Sequence, residues 1–203
     1  MGFMIDPSMA TLPGALVSID SESARLRNGD PQAIAALMVR YQHRLYRYLL
    51  RMVSETGAAE DLFQQTWLRI IERTRNYDAQ RSFEGWLFAV AHNLAIDYLR
   101  RRKPESLDEP LLSGETQSNH IQSIDKGALE EILSRERADI VSGAVSNLHV
   151  SFREVITLRF EEEMKLEEIA SVLSLPVGTV KTRLHRGLKA LRQSLIKKLG
   201  NGS

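Results

Sequence analysis

From Ile169 to Ser203 the sequence contains no acidic residue, while Lys181, Thr182, His185, Arg186, Lys189 and Arg192 follow one another closely. On a helix turning about 100° per residue these side chains cover one arc, and Val177, Val180, Leu184, Leu188, Leu191 and Leu195 fall within about 80° of one another on a separate one. Lysine and arginine on such an arc neutralise phosphates or donate to guanine edges, and Thr182 and His185 are long enough to reach bases. Gly178 and Thr179 leave the start of that helix unencumbered. The chemistry suggested is duplex DNA recognition. A solvated basic face is the usual alternative, but exposed faces ordinarily mix signs and this one does not.

Catalytic chemistry is poorly supported by comparison. His43, His92, His120, His149 and His185 are scattered without metal-ligand or triad spacing, no glycine-rich phosphate loop occurs, and Glu161-Glu162-Glu163 reads as a solvated turn. The absence of cysteine excludes thiolate nucleophiles, cysteine-ligated metals and disulfides. The reading is therefore of a non-enzyme with no cofactor and no metal.

Two further constellations lie upstream. Asp61, Gln64, Gln65 and Glu72 frame Leu68 on one side of a helical pattern whose other side carries Leu62, Phe63, Trp67, Ile70 and Ile71. A leucine so framed is either an ordinary exposed residue or the apolar anchor of a protein interface with a polar rim. Farther on, Trp86, Leu87, Val90, Ala91, Leu94, Tyr98 and Leu99 make a wide apolar arc. His92, Asn93, Asp97 and Arg100 line the remaining strip, which ends in the basic run Arg100-Arg101-Arg102-Lys103. Phe83 and Trp86 read first as core aromatics; Tyr77 and Phe83 beside a polar strip with a cationic end also suit single-stranded DNA, whose bases stack on π-faces.

The elements that position these groups are all helical. Asp30-Pro31 reads as an N-cap followed by proline in the first turn of a helix ending near Ser54–Gly57. Periodicity predicts further helices over about Ala58–Arg75, Ser82–Arg102 and Leu129–Asn147. Ser151-Phe-Arg-Glu154 reads as a capping box. Leu166–Leu173, a break at Ser174-Leu175-Pro176 and a helix from Val177 make a helix-turn-helix, whose second helix enters the major groove. Between the modules, Pro104–Glu131 carries seven acids against the single base Lys126. Its Pro, Gly and Ser content cannot bury a helix face. The expected organisation is all-α: a flexible leader at residues 1–20, an N-terminal domain at 21–103, a flexible acidic linker at 104–128 and a helix-turn-helix domain at 129–199. No apolar run is long enough to span a bilayer and no signal-peptide pattern opens the chain, so a soluble cytoplasmic protein without membrane insertion is expected.

Four segments in this order resemble the extracytoplasmic-function (ECF) sigma factors of bacterial RNA polymerase over about Glu22–Lys198: YQHRLYRYLLRMV, AEDLFQQTWLRIIERTRNYD, SFEGWLFAVAHNLAIDYLRRRK and REVITLRFEEEMKLEEIASVLSLPVGTVKTRLHRGLKALR. The resemblance implies an alternative sigma factor that melts and reads the minus-ten promoter element and reads the minus-thirty-five element. It implies core polymerase contact by Asp61, Gln64, Gln65 and Leu68 on the clamp helices of the largest subunit, with the C-terminal domain on the flap of the second-largest. It places Asn93 by a pocket for a flipped-out base and Asn76–Phe83 in the other minus-ten reader, with Arg100 and Arg101 on DNA. It puts Gly178, Thr179, Lys181, Thr182, Arg183, His185, Arg186 and Lys189 at the minus-thirty-five element, and implies an anti-sigma factor that holds the protein inactive. Two positions depart from the family pattern. Lys165 stands where many relatives have a capping Ser or Thr, a loss of about 1 kcal/mol. Lys181 binds as a point charge without the bidentate guanine fork of arginine. The few aromatics near Asn93 predict stringent promoters. The rival reading is a stand-alone helix-turn-helix regulator whose N-terminal helices dimerise or bind an effector; the polar face around Leu68 and the cationic end of the third helix favour the sigma reading.

Overall fold

The computed structural model describes residues 25–78, 82–102 and 135–200. The expected leader, the acidic linker, Lys103 and positions 79–81 of the Asn76–Phe83 loop lie outside the described residues, and so do 129–134, where the fourth helix was expected to begin. Every regular element among the described residues is helical.

Helix α1 spans Pro31–Val53 and opens as expected: the Asp30 carboxylate accepts from Gln32 N at 2.9 Å, and proline occupies the first turn. It ends on Ser54, left-handed at φ 57°. Helix α2 spans Thr56–Arg73 and tightens into a 3₁₀ turn at Thr74–Asn76; α3 spans Phe83–Arg102. These three helices pack on one another and bury Leu37, Leu45, Tyr48, Leu49, Met52, Ile70, Leu87, Phe88 and Leu94 among them.

The C-terminal module begins with α4, Arg135–Ser146, followed by α5, Val150–Ile156, which runs into a wide turn at Thr157–Glu161. Helices α6, Leu166–Leu173, and α7, Val177–Gly200, form the helix-turn-helix, joined through the left-handed Ser174 at φ 54°. The expected capping box at Ser151–Glu154 does not form. His149 is the cap, its Nδ1 accepting from Ser151 N, while Glu154 turns inward to Arg183. A local pattern loses here to a buried charge that needs a cation. At α6, the Glu168 carboxylate accepts from Lys165 N at 2.7 Å, which satisfies the helix start from the opposite direction to a serine cap.

The modules pack together. α3 lies on α6 and α1 touches α5, so one apolar core runs through both. Glu161-Glu162-Glu163, expected as a solvated turn, is part of this join: Arg44 Nε donates to Glu162 at 2.8 Å and Arg51 Nε to Glu161 at 2.9 Å, and only Glu163 is exposed. Arg51 also donates to the backbone and hydroxyl oxygens of Ser142. Arg153 donates to the Met52 and Arg51 carbonyls at 2.6 and 3.3 Å, placing a cation at the negative end of α1.

Candidate nucleic-acid interface

On α7 the apolar and basic arcs separate much as the periodicity requires. Val180, Leu184 and Leu191 are buried and Val177, Leu188 and Leu195 half-buried, while Lys181, Thr182, His185, Lys189 and Arg192 are exposed. Gly178 is exposed, Thr179 and Arg186 half-buried. The Thr182 hydroxyl donates to the Gly178 carbonyl at 3.0 Å, so toward the outside it presents acceptor lone pairs. Gly187 lets α7 approach α5 closely: a Cβ there would stand 3.0 Å from Ile156 Cδ1 and 3.1 Å from Phe152 Cβ.

Arg183 departs from its expected place on the outer face. It lies three residues beyond Val180 and one before Leu184, on the packed side. Its guanidinium donates to Glu154 at 2.8 Å, with the two side chains only 17% and 5% exposed.

On α2, Asp61, Gln64 and Gln65 are exposed around Leu68, which is 59% exposed, while Leu62, Trp67 and Ile70 are buried. Ile71, expected on the buried side, is 45% exposed one turn beyond Leu68. The pair makes a larger apolar centre within the polar rim than Leu68 alone. The three-residue spacing from Leu68 is the signal in the sequence that points to this place for Ile71, against its grouping with Ile70.

Along α3, Asn93, Asp97, Arg100 and Arg101 are exposed as expected. Arg102 is drawn back to Glu55, donating also to Tyr98 Oη at 2.7 Å with its guanidinium over the Tyr98 ring. His92 does not belong to this strip: it is 8% exposed and faces the C-terminal module. Its Nδ1 lies 3.5 Å from the Tyr48 hydroxyl and 3.7 Å from Glu154 Oε2. Burial, with Arg183 and Arg100 adding to it, lowers its pKa from 6.5 to about 4. The same enclosure raises the Tyr48 phenol well above its ordinary value, and burial also raises Glu162 against the pull of Arg44. The aromatics expected to meet unpaired bases are engaged with one another. Tyr77 is buried with its ring centroid 5.0 Å from that of Trp86, and Phe83 packs between Tyr41, Tyr77 and Trp86.

Among the described residues no group of three or more His, Cys, Asp or Glu is arranged to hold a metal, and no helix is long and apolar enough to cross a membrane. The described residues gather three surface features: an apolar pair in a polar rim on α2, a polar strip with a cationic end on α3, and a basic arc on α7.

Family models match the chain twice, Sigma-70 region 2 over residues 37–105 and Sigma-70, region 4 over residues 140–191. Among curated relatives, the ECF RNA polymerase sigma factor SigW of Bacillus subtilis is 34% identical over 174 residues, covering 84% of this chain and 93% of its own. The ECF RNA polymerase sigma-E factor of Escherichia coli K12 is 32% identical over 176 residues, covering 82% and 88%. Among solved structures, CnrH in complex with the cytosolic domain of CnrY has the same fold, with a TM-score of 0.61 at 22% identity over 90% of this chain and 97% of that one. The sigma factor RpoE in complex with the anti-sigma factor NepR from Bartonella quintana gives 0.60 at 22% identity over 79% and 95%.

Proposed function

We propose that this chain, which belongs to the extracytoplasmic-function sigma factors of RNA polymerase, directs promoter-specific initiation by docking the α2 face on core polymerase while its two modules read separate promoter elements. The observation that carries this reading is the exposed pair Leu68 and Ile71 on an otherwise well-packed helix, rimmed by Asp61, Gln64 and Gln65. An interface centred on an apolar anchor with a polar rim uses that face; a regulator that only binds DNA has no need of it. Its counterpart on the polymerase is the clamp helices of the largest subunit, and the C-terminal module sits on the flap of the second-largest.

Asn93, Arg100 and Arg101, exposed along α3, read the minus-ten element, where flipping a base costs a few kcal/mol, offset by a closely fitting pocket. Because Tyr77, Phe83 and Trp86 are engaged with one another, few stacking faces remain near Asn93, which supports stringent promoters. Gly178, Thr179, Lys181, Thr182, His185, Arg186 and Lys189 read the minus-thirty-five element. Arg183 is set apart from this reader, because it is held by Glu154. Each reader is weak alone, and tethering both to one polymerase makes the second engagement effectively intramolecular. No residue is given a catalytic role. The protein works in the cytoplasm and is held inactive by an anti-sigma factor, a reading supported by the two fold relatives captured with such partners or with a partner's cytosolic domain.

Run-off transcription with purified core polymerase and a promoter library tests the proposal. The expected result is initiation that depends on this chain and is lost with Leu68→Asp, while the circular dichroism and melting of that variant stay unchanged because the residue is exposed. Specific duplex binding by the chain alone, with no initiation alongside core, is the outcome of the stand-alone regulator and would overturn the proposal.

A further inference from the structure

We propose that the join between the two modules is a proton-sensitive clasp, in which His92, sealed between Tyr48, Glu154 and Arg183, releases the modules when its imidazole takes up a proton. The inference concerns the join itself and does not depend on which faces read DNA.

The geometry has an inner pin and an outer ring. The pin is His92 from α3, in contact with Tyr48 of α1 and Glu154 of α5, with Glu154 also held by Arg183 of α7. Four helices from both modules therefore meet at one buried ring. The outer ring consists of Arg44 on Glu162, Arg51 on Glu161 and Arg153 on the end of α1. Every one of these pairs joins residues from different modules, so parting the modules breaks the ring and opens His92 to water.

The charges around the imidazole decide the direction. Glu154 is the acid facing it, and that carboxylate is already matched by Arg183 at 2.8 Å. Arg183 and, from its own helix, Arg100 both oppose a positive imidazole, and Tyr48 is neutral. The acids of α6, Glu167 and Glu168, are exposed, with Glu168 turned back to Lys165 N, and on α2 Glu60, Asp61 and Glu72 are exposed as well. The closed join therefore favours the neutral ring, with a pKa of about 4 in place of the ordinary 6.5. An imidazole returned to water regains the ordinary value. Between pH 6.5 and about 4 the open form then binds more protons than the closed one, so falling pH favours opening. Lowering the pH from about 7.5 to about 5.5 raises the open-to-closed ratio roughly tenfold through this one group. Glu162 acts in the opposite sense, since closure raises its pKa and the closed form gains its proton, so the imidazole's share is read by comparison with a neutral residue at position 92.

The chain lacks cysteine, so a dye pair can be placed on cysteines introduced at the exposed positions Ala36 of α1 and Gln193 of α7. Single-molecule energy transfer in the full chain, in an Arg51→Ala background that removes one outer pair and populates the open form, counts the two states directly. The expected result is a roughly tenfold rise in the open-to-closed ratio between about pH 7.5 and pH 5.5, shrinking to less than about twofold when His92→Gln or His92→Asn is added. A flat ratio with His92 in place overturns the proposal whether or not the neutral variants fold. An equal rise in those variants overturns it too, and so does the absence of any open population at both pH values.

Discussion

Arg183 separates two accounts of the recognition helix, and its replacement tests them. With Glu154 only 5% exposed and Arg183 17%, their ion pair is largely shielded from water. Arg183→Ala leaves a buried carboxylate facing a neutral histidine at 3.7 Å. Breaking one side of such a pair costs about 3–5 kcal/mol, and the residual exposure of the guanidinium favours the lower end, about 3 kcal/mol. For a chain of this size each kcal/mol moves the melting temperature by about 2–4 °C, so a fall of about 6–12 °C is expected by far-UV circular dichroism. A double-mutant cycle with Glu154→Gln, Arg183→Met and the pair should give a coupling of about 2 kcal/mol or more, because the double variant leaves no charge unpaired. Base preference at the minus-thirty-five element should change little. An unchanged melting temperature together with altered base preference would refute the reasoning, since the guanidinium would then be facing DNA.

Two glycines of α7 should respond in opposite directions. At Gly187 an added methyl group meets Ile156 Cδ1 at 3.0 Å and Phe152 Cβ at 3.1 Å. Overpacking of about 1–3 kcal/mol then outweighs a gain in helix propensity of up to about 1 kcal/mol, and Gly187→Ala should lower the melting temperature. Gly178→Ala meets nothing within 4 Å and should raise stability by about 0.4–1 kcal/mol in the same melt. Lys181 is exposed at the start of the recognition helix, and Lys181→Arg supplies the bidentate fork it lacks. Discrimination for guanine at one minus-thirty-five position should rise by about 1–3 kcal/mol, measured by competition among base-substituted promoters with core polymerase present.

What the sequence made legible was whatever depended on near neighbours along the chain. Asp30 and Pro31 start α1 and Ser174 ends α6 because capping is settled within a few residues. The periodicity sets Leu68 opposite Leu62 and Trp67, and the structure agrees, because one helix fixes both sides of that comparison. His92 and Glu162 lie elsewhere than expected for a shared reason, whereas Arg183 is put on DNA by the family resemblance alone and its spacing from Val180 and Leu184 already sets it on the packed side. Helical periodicity reports which side of a helix turns away from its own module, and that side can meet water or a second module alike. The partners that decide the matter are distant in sequence: Arg44 and Glu162 lie 118 positions apart, Arg51 and Glu161 110. A triplet of glutamates is solvated only when no arginine of another helix reaches it, and here two do. Ser151–Glu154 failed as a capping box for a related reason. The best local partner of Glu154 is a backbone N–H, whereas Arg183 offers a charge in a site where water cannot.

The closed join also orders the events of engagement. Leu68 and Ile71 on α2, and Lys181, Thr182 and His185 on α7, are exposed while the modules are together, so neither the face proposed to dock on polymerase nor the outer face of α7 waits for opening. What closure restrains is independent movement, because α3, which carries Asn93, is packed on α6, the first helix of the helix-turn-helix. Two readers fixed to each other present one geometry and cannot adjust to the separation of two DNA elements. On the proposed function, docking through Leu68 can therefore precede opening, and the free energy of docking and of the second DNA contact must exceed that of the whole join, its apolar packing of α3 on α6 as well as the Arg44, Arg51 and Arg153 contacts, before both elements are held. Protonation of His92 lowers that threshold, and neutral replacement at the same position removes the pH dependence while leaving the order of events intact.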